Sequence, residues 1–171
     1  MSNSTLGAPF GGTMYLNKAV ISGVTSTGAT TISTTPVGTS AAMEWMIGGK
    51  AYSVAAFSST ATPTTDINTS AAFVSVPANY GCVYVLLLNT SAALKVAQGP
   101  LVACDNAGTF ASAPEFPSFN DLTHCPFGYI VVKTTSSNTG GWVFGTSNWN
   151  AAGVTATPVD VCMLPARPQV S

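Results

Sequence analysis

Met43-Glu44-Trp45-Met46-Ile47-Gly48-Gly49-Lys50-Ala51-Tyr52-Ser53-Val54 is the stretch on which the fold turns. Met43, Trp45 and Ile47 fall on alternate positions, so an extended chain collects them on one face. Gly48-Gly49 supplies the two positive φ values that a tight two-residue hairpin demands, and the chain returns over residues 50–54. A hairpin of this kind predicts an antiparallel sheet.

The rest of the chain follows the same pattern of short extended runs between Thr, Ser, Gly and Pro turns. Upstream, residues 19–25 and 30–35 read as a pair split by Ser26-Thr27-Gly28. Downstream, residues 72–76 form a run stopped by Pro77. Residues 81–89 carry Val83-Tyr84-Val85-Leu86-Leu87-Leu88, a continuous apolar run that suits a strand buried on both faces. Residues 93–97 and 101–104 flank Gln98-Gly99-Pro100. Between residues 113 and 126, Pro114, Pro117 and Pro126 stand among Phe116, Phe119 and Phe127, which predicts an extended crossover packed by its aromatics. Residues 128–134, 142–146 and 154–164 complete the strands, with a polar turn at 136–141. Helical periodicity never persists beyond two turns, and only short turns are expected near Asp121 and over 148–152. About ten short strands at regular spacing predict an all-β domain, a sandwich or barrel of antiparallel strands over residues 18–171. Residues 1–17, rich in Gly, Asn and Ser, read as an extended N-terminal arm.

Composition narrows the function. The chain has 171 residues, with 5 basic and 6 acidic side chains and one His, so 6% is charged. About 25% is usual for soluble domains. Hydrophobic residues nonetheless make up 46%, which excludes charge-driven disorder. Five scattered cations form no basic stripe, so nucleic acid is not an expected partner. The longest apolar run has six residues, far short of the roughly 20 that a membrane helix needs, so no membrane partner is expected. Met1-Ser-Asn-Ser-Thr-Leu-Gly lacks the basic and apolar regions of a signal peptide. Cys82, Cys104, Cys125 and Cys162 are widely spaced and make no CxxC pair, so four buried thiols of a reducing cytoplasm are expected, with no metal.

Chemistry has few carriers. Asp121 and His124 lie three residues apart among abundant Ser, but in a Pro-rich crossover where local turns and caps account for both. No Gly-x-Ser-x-Gly elbow, P-loop or calcium loop is present, and Asp66-Ile67-Asn68 offers only two oxygen ligands. The chain therefore reads as a non-enzyme with no catalytic residues and no cofactor. Trp45, Trp142 and Trp149 are candidates for a saccharide platform or for interface anchors. Trp149, between Asn148 and Asn150, is the one expected to be exposed on a partner-facing loop. In the arm, Leu6, Pro9 and Phe10 are the apolar positions expected to touch a neighbouring subunit.

Scarce charge points to assembly. Charged residues are depleted at buried interface centres, and a β protein with few Lys lacks the usual protection of its sheet edges. Closed symmetry converts that exposure into a defined oligomer.

The C-terminal region adds a resemblance. Cys125-Pro126-Phe127-Gly128-Tyr129-Ile130-Val131-Val132-Lys133, then Trp142-Val143-Phe144-Gly145-Thr146 and Ala151-Ala152-Gly153-Val154-Thr155, resemble tailed-bacteriophage virion proteins of the capsid decoration and head-fibre type. The likeness covers about the last 45 residues and carries no catalytic signature. It departs from the common form at residues 142–146, which have no Pro before the Gly-Thr turn. It implies a β-rich homotrimer that binds the major capsid protein and stabilises the shell after assembly in the host cytoplasm. The alternative expectation is a tail-associated fibre protein recognising host glycans through Trp and Tyr. A third, a secreted β-sandwich module, predicts disulfides.

Overall fold

The computed structural model describes residues 12–24, 30–37 and 42–170. Among these residues eleven strands run in chain order: β1 (Met14–Tyr15), β2 (Ala19–Ser22), β3 (Thr31–Pro36), β4 (Ala42–Ile47), β5 (Lys50–Ala55), β6 (Thr60–Ala61), β7 (Tyr80–Asn89), β8 (Leu94–Gln98), β9 (Val102–Ala103), β10 (His124–Thr134) and β11 (Val154–Asp160). They form three sheets, ordered β1-β4-β5, β2-β3-β6 and β11-β10-β7-β8, with β9 also paired to β7. Every pairing is antiparallel, and no helix occurs among the described residues. The chain is an all-β, sandwich-like domain.

The large sheet is the middle layer, and the apolar run of β7 explains why. Residues Val83 to Leu88 are all 0% exposed, and burying each such large side chain contributes about 1.5–3 kcal/mol. Their alternation feeds two cores. Cys82, Tyr84, Leu86 and Leu88 join Ile130 and Val132 under the two smaller sheets, while Val83, Val85 and Leu87 join Tyr129 and Val131 on the opposite face. That opposite face is roofed by irregular chain: Phe116 packs edge-on against Tyr129 at 5.0 Å, and Leu164 and Val170 arrive from the C-terminal segment. The aromatic crossover expected over residues 113–126 is present over 113–123, with Pro114 and Pro117 buried in it, but residues 124–126 already belong to β10.

The hairpin is formed as its sequence demands. Gly48 and Gly49 have φ of 57° and 81°, a mirror-image turn whose twist matches the strands it joins. Its register pairs Ile47 with Lys50, Trp45 with Tyr52 and Met43 with Val54.

Four expectations need correction. Residues 72–76 and 142–146 are not ladder strands; they meet through the single bridge Val76–Trp142. The last strand ends at Asp160, not 164. The arm boundary at residue 17 also moves: β1 pairs Met14 with Met46 and Tyr15 with Trp45, so residues 12–17 belong to the domain. Finally, Cys82, Cys104 and Cys125 are buried free thiols, whereas Cys162 is exposed because it lies just past the end of β11.

Candidate interaction surface

The sheet β1-β4-β5 has an inner and an outer face. Inward, Tyr15, Met43, Trp45 and Ile47 are buried, and the Trp45 indole stacks on Tyr52 at 5.8 Å. Two polar atoms there, Tyr15 Oη and Trp45 Nε1, are buried with no hydrogen-bond partner. Each such group costs about 1–3 kcal/mol, a burden that the apolar packing around this sheet must offset. Burial is also the main reason that the Tyr15 phenol is held far above its ordinary pKa.

The outer face carries the side chains of opposite parity. Met14, Met46 and Ala51 form one cross-strand row, Glu44 and Ser53 the next, and Ala42 and Ala55 the third. Leu16 lies beside Glu44, its backbone N–H donating to Glu44 O at 2.8 Å. Leu16 is 46% exposed and Met14 37%, and the face holds a single charged side chain, Glu44. A shallow depression of about 240 Å³ lies here, lined by Leu16, Glu44, Ala51, Tyr52 and Ser53.

The two edges of this sheet differ. At β1, the Tyr15 N–H points away from β4 and donates to Cys162 O at 3.2 Å. Beyond β1 the Asn17 side chain continues the ladder: its Oδ1 accepts from Glu44 N at 2.8 Å and its Nδ2 donates to Ala42 O at 2.7 Å. At β5 the other margin carries Ala51, Ser53 and Ala55, all exposed.

The remaining sequence candidates are placed as follows. Trp149 is 2% exposed, and its Nε1 donates to Thr31 O at 3.1 Å, so the expectation of an exposed, partner-facing indole is overturned. It belongs to an aromatic cluster with Trp142 at 5.3 Å and Phe144 at 5.4 Å. Trp45 and Trp142 are 0% exposed, so no Trp offers a face to a saccharide. Leu6, Pro9 and Phe10 lie outside the described residues.

Asp121 and His124 are not joined as a pair. The Asp121 backbone carbonyl accepts from Thr13 Oγ1, and His124 Nδ1 lies 2.8 Å from the Thr123 hydroxyl. Burial first, with Lys95 adding repulsion, lowers the His124 pKa, against an opposing hydrogen bond with the Asn120 backbone. Asp66, read as part of a meagre calcium loop, is buried and accepts the Gln98 N–H at 3.1 Å, where it fastens residues 66–67 to β8. Among the described residues there is no group of three or more His, Cys, Asp and Glu placed to hold a metal ion. No helix of the described residues is long and apolar enough to cross a membrane.

Fold and surface together define an all-β domain with one nearly chargeless sheet face and one sheet edge that is unpaired among the described residues. No family model matches the chain, and neither does any curated protein or solved structure.

Proposed function

We propose that this protein is a non-enzymatic assembly component of a bacteriophage virion. It works as a capsid decoration or head-fibre protein that binds its own copies and the major capsid protein. The observation that carries the reading is the outer face of β1-β4-β5, where Met14, Leu16, Met46, Ala51 and Ala55 surround the single charge of Glu44. A face with so little charge suits burial against another subunit, because few ions must be desolvated there. The virion setting and a three-fold assembly are what the resemblance of residues 125–155 implies, with assembly in the host cytoplasm.

A protein that binds only the assembled shell stabilises it by mass action. The arm, through Leu6, Pro9 and Phe10, is proposed to add contacts to the same partners. Purified particles decide the matter. The chain should appear at regular positions on the shell by electron cryomicroscopy, and particles lacking it should lose their contents at lower temperature. Absence of the chain from particles overturns the reading. Deleting residues 1–11 should lower its occupancy, and unchanged occupancy removes the arm from the proposal.

A further inference from the structure

The backbone of β5 has two sides. In an antiparallel pair, residues alternate between exchanging hydrogen bonds with the partner strand and pointing those groups away. A two-residue hairpin makes its flanking pair, Ile47–Lys50, a hydrogen-bonded one, so Trp45–Tyr52 and Met43–Val54 are hydrogen-bonded too. The N–H and C=O groups of Ala51, Ser53 and Ala55 therefore face outward from the sheet.

Exposed edges are ordinarily blunted by Pro, by bulges or by charges along the strand. Those devices appear elsewhere in this molecule. Strand β11 has Pro158 within it, and β8 is covered where Ile67 N–H donates to Val96 O at 3.0 Å. Strand β5 has no Pro and no bulge, and its one charge, Lys50, stands at its first position. Ala51, Ser53 and Ala55 are also small, so a second backbone can approach closely.

We infer that β5 is the seat of a two-fold contact, in which its open edge pairs antiparallel with β5 of a second copy of this chain, centred on Ser53. The inference rests on the assembly reading above and names the surface that serves it. The occupant follows from self-complementarity. Centring on Ser53 sets Ser53 against Ser53 of the second copy, Ala51 against Ala55, and Tyr52 against Val54. An aromatic ring opposite a β-branched side chain is a favourable cross-strand pair. On the inner face, the existing row Tyr15-Trp45-Tyr52 would run on through Val54 and Met43 of the second copy.

Charge selects the same arrangement. With antiparallel pairing the two Lys50 side chains start about 20 Å apart, from six residue steps of about 3.4 Å. That is roughly two Debye lengths at physiological salt. Parallel, in-register pairing would bring them to about 5 Å and align like charges. Such a two-fold is compatible with a three-fold contact elsewhere, in which case it joins two trimers.

The test uses the full chain, one single variant measured by light scattering after size exclusion, and two cysteine variants read by cross-linking. Ser53→Pro removes one outward N–H without removing any hydrogen bond to β4. The wild type should have an even number of copies, and Ser53→Pro should halve its mass while the circular dichroism spectrum stays unchanged. In a Cys162→Ser background, Ser53→Cys should cross-link to itself with a short bismaleimide, and Lys50→Cys should not. A wild type with an odd number of copies, a Ser53→Pro mass equal to wild type, or cross-linking of Lys50→Cys as efficient as that of Ser53→Cys overturns the contact. Particle binding separates the two proposals. Decoration of particles by an undiminished Ser53→Pro variant sinks the β5 contact alone. A β5 dimer that never appears on particles sinks the virion reading alone.

Discussion

Side-chain environments in this chain are set by partners distant in sequence. Asn148-Trp149-Asn150 looks like a solvated loop, yet the indole N–H reaches Thr31, 118 residues away, and no local pattern announces that. Trp149→Ala should therefore cost about 3–5 kcal/mol in denaturant unfolding, the range for truncating a buried Trp. A loss below about 1 kcal/mol would mean that the residue is not in the core. The thiols divide in the same way. Burial pushes Cys82 and Cys125 up to about 12 and raises Cys104, so at pH 8 the native protein should react with a thiol reagent at Cys162 alone. All four should react in denaturant, as free cysteines. His124 gives a pH dependence. Its folded pKa lies below 6.5, so the unfolded chain binds the proton first as pH falls, and the folded state loses stability from about pH 6.5 downward. The thermal midpoint should drop across that window in the wild type, and His124→Gln should flatten the drop.

At the scale of elements, legibility depended on how local the cause was. The β4–β5 hairpin could be read because both determinants, alternation and Gly48-Gly49, sit within twelve residues. The two-sided burial of β7 was equally readable from its unbroken apolar run. Residues 72–76 show strand-like alternation, yet among the described residues only the isolated bridges Thr65–Ala72 and Val76–Trp142 meet them, which is too little for a ladder. Instead the Gln98 side chain accepts from Val74 N and donates to Val74 O, each at 2.8 Å. Strand β1 was missed because two residues cannot display a period, and its partner β4 lies about thirty residues on. The candidate surface was legible only in part: scarce charge foretold a sheet face poor in ions, but which edge stays open among the described residues depends on sheet order. Strand β10 carries a further constraint. Its register shifts between Pro126 and Gly128, and a Cβ on Gly128 would run into Ile21 of β2 and the Val159 carbonyl. Gly128→Ala should destabilise the fold by about 1–3 kcal/mol by wedging β2 off the central sheet. Denaturant melts that match wild type would show that β2 has room to shift.

For the whole molecule, eleven charged side chains on 171 residues mean that association cannot lean on ion pairs. Raising ionic strength from about 0.1 M to about 1 M shrinks the Debye length from ~10 to ~3 Å. The oligomer mass measured at both salts should be the same, whereas dissociation at high salt would point to an electrostatic contact. The same scarcity makes the covering of the β1 margin consequential. Because the Cys162 carbonyl occupies the outer side of β1, the small sheet has a valence of one. Two such sheets joined through β5 exhaust each other's capacity and stop at six strands, where a sheet bare on both margins would add copies without limit. Displacing the segment around Cys162 from β1 would convert a terminating unit into a propagating one, and the product to look for is a fibril.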